Sequence, residues 1–126
     1  MIEFAIGLPV LLFLLLATAE VGRLISQYNT LTKAVRDGVR YAASKASLGT
    51  TGIVSVTPAI QSAVANLVVT GTATGTGSPL LPGFSTSNVT VTDAGSGYVS
   101  VSASYTYSPM VGSSLRTFGL GTPINL

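Results

Sequence analysis

The chain contains neither cysteine nor histidine. Their absence removes disulfides, thiol nucleophiles, imidazole general bases and the usual zinc and iron ligand sets together, and no cofactor or metal is expected. It does not fix the compartment, because a disulfide-free chain suits either side of a membrane. Charge is scarce too: of 126 residues only 8% are charged, and after Lys45 just Asp93 and Arg116 remain. A net charge of +2 spread over so few basic residues cannot make a phosphate-binding groove, so nucleic acid is not a partner. Hydroxyl nucleophiles fare no better. The chain has 31 serines and threonines, yet Asp93 is the one acid downstream of Lys45, and no base is evident to activate them. The Ser44–Lys45 neighbourhood is the kind that helices produce by chance, and the chain is read as non-enzymatic.

What the chain does have is apolar content, 47% of its residues, enough to exclude a disordered tail and to build one modest domain. Much of it sits at the start. From Phe4 to Ala19 runs a segment of 16 residues without a charge, roughly 24 Å as helix against the ~20 residues that normally cross a bilayer. A removable secretory leader would carry basic residues before its apolar core and a break after it. Here Glu3 precedes the core and Glu20-Val21-Gly22-Arg23-Leu24 continues as helix, so a permanent apolar helix is expected. Gly7 and Pro9 weaken it, the proline by removing an amide donor and crowding the carbonyl four residues earlier, so a kink or unwound stretch is expected there.

Beyond the run, Val21, Leu24, Tyr28, Leu31, Val35, Val39, Ala42 and Ala46 fall at steps of three and four and mark one stripe of a helix. Lys33, Arg36, Asp37 and Arg40 lie on the other face, and Gly49 suits the position just past the helix end. The chain therefore divides into an apolar helix half over 1–22, an amphipathic half over 23–48 packed on the C-terminal domain, and that domain itself, a small α+β unit over 53–126. In it Ile53 to Val56 is a short extended segment. Thr57-Pro58 is an N-cap followed by proline, opening a short helix over 58–69. The stretch 70–87, with Gly71, Gly75, Gly77, Gly83, Pro79 and Pro82, is loop and is expected on the outer surface. Alternation over 88–107 about the connection Asp93–Gly97 is a hairpin with one buried face, which the amphipathic half of the long helix is expected to cover; Tyr98, Tyr105 and Tyr107 are read as its core.

The segment Ile2-Glu3-Phe4-Ala5-Ile6-Gly7-Leu8-Pro9 with its leucine run, then Glu20-Val21-Gly22-Arg23, then Arg36-Asp37-Gly38-Val39-Arg40-Tyr41-Ala42-Ala43 resembles the N-terminal motif of TadE-like proteins, pilin-like proteins of tight-adherence (Tad, type IVc) pilus systems. Val89-Thr90-Val91-Thr92 and Tyr105-Thr106-Tyr107-Ser108-Pro109 resemble that family's C-terminal strands less specifically. The resemblance implies a pilin-like α+β fold, cleavage by a prepilin peptidase, residence in the bacterial inner membrane, and transfer by pilus assembly machinery into an extracellular filament of identical copies. Type IV pilins keep a glutamate at the fifth mature position; the first acid here is third. A minor or accessory pilin, or a monomeric membrane-anchored surface module, are the competing readings.

Several residues are singled out for roles. Glu3 in an apolar run costs several kcal/mol unless neutralised. Met1, Glu3 and Phe4 are expected to set assembly register, Glu3 through the Met1 amine of its own or an adjacent copy; the plain alternative is an N-terminal acid complementing the helix dipole. Glu20 and Arg23, three apart, form a pair at the helix boundary. Arg36, Asp37 and Arg40 form a solvated face or an intersubunit contact. Asn88-Val89-Thr90 matches the glycosylation pattern.

Overall fold

Forty-five residues, Ile2–Ala46, form one helix, α1. In the computed structural model residues 1–47 and 53–107 are described, with the backbone of Ile124–Asn125; the expected stop at Gly49 and the Ser108–Pro109 end of the strand motif lie outside the described residues. After α1 come α2 (Pro58–Thr70), a 3-10 turn (Thr86–Asn88) and the strands β1 (Val89–Gly95), β2 (Tyr98–Ala103), β3 (Thr106–Tyr107) and β4 (Ile124–Asn125). This is an α+β arrangement of a long N-terminal helix and a small antiparallel sheet. The chain makes two compact units, one of Met1–Tyr28 with Thr106–Leu126 and one of Asn29–Tyr105. The boundary between these units falls within α1 after Tyr28, and of the described residues near the end of the chain Thr106–Tyr107 and Ile124–Asn125 belong with the N-terminal segment.

In the Asn29–Tyr105 unit, α1 buries Leu31, Ala34, Gly38, Ala42 and Ala46, flanked by the half-buried Val35 and Val39. The expected stripe is therefore turned toward its small residues. The cause is proximity. A Cβ added at Gly38 would meet Val68 Cγ2 at 2.5 Å, Val64 Cγ1 at 3.5 Å and Val101 Cγ1 at 3.8 Å, so α2 and β2 approach where α1 has no side chain. A reading weighted by side-chain size favours the valines and misses the residues that permit contact.

α2 begins where the sequence places it: the Thr57 hydroxyl accepts from the Ile60 amide at 3.3 Å, and Pro58 opens the helix. It ends at Gly71, whose φ of 79° is the left-handed cap conformation and whose amide bonds the Leu67 carbonyl at 2.9 Å. Its face of Val64, Ala65, Val68 and Val69 is buried. Gln61 Nε2 donates to the Val91 carbonyl of β1 at 3.3 Å. The cover of the sheet is thus shared by α2 and α1, where the sequence pattern assigned it to the long helix alone.

β1 and β2 pair antiparallel from Val89–Ala103 to Gly95–Tyr98, with an irregularity between Asp93 and Gly95. The strands reach further into the connection than expected, leaving Ser96 (φ 54°) and Gly97 (φ 82°) as the turn, the sign pattern of a primed hairpin turn. Asp93 Oδ1 fixes it by accepting from the Gly95 amide at 2.8 Å. Val91 is buried and Val89, Val99, Val101 and Ala103 are partly covered, while Thr90, Thr92, Ser100 and Ser102 are exposed. Tyr98 shares the parity of Ser100 and Ser102, and at 70% exposure it is surface, which corrects its assignment to the core. The hairpin also stops at Ala103. Thr106–Tyr107 pair with Ile124–Asn125 as a second two-stranded sheet.

The stretch after α2 is only partly outer surface. Leu80 N–H bonds the Val69 carbonyl at 2.7 Å, closing a loop over 70–79. Leu81 and Phe84 are then buried, Tyr105 packs edge-on against Phe84 at 5.7 Å, and the Tyr105 hydroxyl donates to the Pro82 carbonyl at 2.8 Å. In a segment without regular structure, two apolar anchors suffice to fix the backbone.

Candidate functional site

Among the described residues, the N-terminal part of α1 carries the most unusual surface. Ile2, Phe4, Ile6, Leu8, Val10 and the run Leu11 to Leu16 are each exposed by 46–78%, around the whole circumference of the helix. Among the described residues α1 is the one helix long and apolar enough to cross a membrane, and none of its most apolar 18-residue window is buried. Its polar groups are handled internally: the Thr18 hydroxyl donates to the Leu14 carbonyl at 2.9 Å, and the Ala5 amide bonds the Met1 carbonyl at 3.2 Å. Gly7 and Pro9 lie inside an uninterrupted helix rather than in an unwound stretch. Removal of one amide by proline takes out one bond of a ladder that the neighbouring turns maintain.

Met1, Glu3 and Phe4 are all exposed at the start of α1, with Glu3 in the first turn where an acid complements the positive helix end. At the other end of the apolar run the expected Glu20–Arg23 boundary acquires a third member. Tyr107 of β3 donates its hydroxyl to Glu20 Oε2 at 2.5 Å, and the Arg23 guanidinium carbon lies 6.0 Å from the centre of the same ring. Acid and base thus meet on one aromatic side chain, through a charge-assisted hydrogen bond and a cation–π contact. One turn further, Gln27 is buried. Arg23 Nη1 and Gln27 Oε1 are buried without a hydrogen-bond partner. The sequence offers a partial signal for Tyr107, because a tyrosine on a buried strand face needs a partner for its hydroxyl. Which partner it takes, 87 residues away, is not a local property.

Other expected residues stand apart. Val21, Ile25 and Tyr28 are exposed by 53–55%, so Val21 and Tyr28 do not belong to the buried stripe. In the Asn29–Tyr105 unit, Arg36, Asp37 and Arg40 are exposed on α1. Asn88 is half-buried in the 3-10 turn, where its Oδ1 accepts from the Ser85 amide at 3.1 Å and hydroxyl at 3.0 Å and so serves as a cap.

No curated protein and no solved structure matches the chain. Residues 1–40 match the family model described as TadE-like protein. The match takes in the exposed apolar run, the Glu20–Arg23 boundary and the Arg36–Asp37–Arg40 row. Over this segment, and over this segment alone, the chain is similar to TadE-like proteins.

Proposed function

We propose that the chain is a structural pilin subunit, held in the bacterial inner membrane by the first half of α1 and then polymerised through that helix into an extracellular Tad-type filament of its own copies. The observation that carries this reading is the uncovered apolar circumference between Ile2 and Leu16. Full burial of a large apolar side chain is worth ~1.5–3 kcal/mol, so finishing the burial of these half-exposed residues is worth on the order of 10 kcal/mol. That equals the whole stability of a typical small domain, about 5–15 kcal/mol. Such a surface requires lipid before assembly and other apolar helices after it. A prepilin peptidase and the assembly machinery are the partners this route needs, and Met1, Glu3 and Phe4 stand where a register contact between copies would form.

The test is electron microscopy of material sheared from the cell surface, with mass spectrometry of any filaments. The chain as the principal component of filaments is the expected result, and its presence as a trace component would assign it a minor-pilin role. Recovery only as a membrane-bound monomer would refute polymerisation and leave an anchored surface module.

A further inference from the structure

A cleft of about 300 Å³ lies in the Asn29–Tyr105 unit, lined by Gln61, Ser62, Ala65 and Asn66 of α2, by Thr86 of the 3-10 turn and by Val89 of β1. None of its side chains is charged, which disfavours ions of either sign. Four of the six are amides or hydroxyls, groups that both donate and accept, while Ala65 and Val89 supply a small apolar surface. The amides are held in place before any ligand arrives. Gln61 uses an amide hydrogen on the Val91 carbonyl at 3.3 Å, and Asn66 uses one on the Ala73 carbonyl at 3.5 Å. The backbone of Gly75 lies so close that a Cβ there would sit 3.0 Å from Asn66 Cγ. Each amide thereby keeps its carbonyl oxygen as an acceptor, and the bond it already makes restricts its side chain, which lowers the entropic cost of binding.

We propose that this cleft binds one neutral sugar unit. A sugar ring matches it on three counts: no charge, several hydroxyls that donate and accept, and an aliphatic C–H face for Ala65 and Val89. The volume is at the low end of the ~300–1,000 Å³ of small-molecule sites, which limits the ligand to a single ring. The proposal concerns the Asn29–Tyr105 unit and holds whether or not the chain polymerises.

The test is an NMR titration of the ¹⁵N-labelled full chain in phosphocholine micelles, a detergent without sugar. The probes are the methyl glycosides of glucose, mannose, galactose and N-acetylglucosamine. At least one is expected to give saturable shifts confined to residues 61–66 and 86–89. Ser62→Phe, at an exposed rim position, is expected to weaken that binding at least tenfold while the amides of Val64 and Val68 stay in place. Thr86→Val, which removes a hydroxyl at constant shape, gives an independent reading in the same direction should the first variant fold poorly. Absence of saturation with all four sugars, equal shifts with glycerol, or unchanged titration in the folded variants would overturn the proposal.

Discussion

The contact at Gly38 allows one substitution, glycine to alanine, to be tested with opposite expectations in a single helix. At Gly38 the new methyl would lie 2.5 Å from Val68 Cγ2, a distance that real carbon contacts do not sustain. Val68 is fully buried and β-branched, so it cannot swing aside. Overpacking costs typically ~1–3 kcal/mol, and a contact this short against a side chain that cannot move belongs in the upper half of that range, about 2–3 kcal/mol, while alanine in place of glycine returns about 1 kcal/mol of helix propensity. The net expectation is a loss of about 1–2 kcal/mol. For a unit of this size that is a fall in Tm of roughly 4–16 °C, at about 4–8 °C per kcal/mol. Gly7 and Gly22 have nothing within 4 Å of an added Cβ, so the same change there gains propensity without a clash and leaves Tm unchanged or raised. Thermal unfolding of the full chain in detergent, followed by near-ultraviolet circular dichroism of the tyrosines, reads all three. A Gly38→Ala variant as stable as the parent would refute the close approach of α1, α2 and β2.

Three further outcomes are expected. Glu3→Ala should insert into membranes as well as the parent or better, since it deletes a charge from an apolar segment, while filament yield falls; undiminished filaments would dispose of register setting by this residue. Tyr107→Phe deletes the hydroxyl that donates to Glu20 and should cost about 1.5–3 kcal/mol, seen as faster hydrogen exchange at Thr106–Tyr107, whereas equal exchange would mean the bond contributes nothing. The fragment 29–105 should run as a monodisperse monomer without detergent and the full chain should not; a soluble full-length monomer would contradict the role assigned to the exposed helix.

Local chemistry was the legible part of this sequence. Thr57, Pro58 and Gly71 delimit α2 because capping depends only on residues a turn apart. The alternation of valine with threonine and serine marks the two faces of the hairpin, and the same parity, applied strictly, places Tyr98 outside. Partner choice was the illegible part. Alternation continues unbroken from Val99 to Tyr107, so nothing local indicates that pairing stops at Ala103 and that Thr106–Tyr107 join Ile124–Asn125 instead. Leu81 and Phe84 were hidden among glycines, prolines and hydroxyls, whose composition outweighs two anchors. The Glu20–Arg23 boundary was visible in spacing, but the tyrosine that joins its two members comes from the far end of the chain.

The bond from Leu80 to Val69 has a bearing on how this protein can vary. It fixes the two ends of the 70–79 loop beside each other whatever lies between them, and the buried Leu81 and Phe84 shield the helices and sheet from events beyond that point. Extra residues inserted at Gly77, which has open space around it, would lengthen an already closed loop, at only about 0.6 kcal/mol for each doubling of its length. The segment is thus a port on the Asn29–Tyr105 unit through which new sequence can be displayed, by natural drift or by grafting an epitope, while the hydrogen bond at its base keeps the cost from reaching the core.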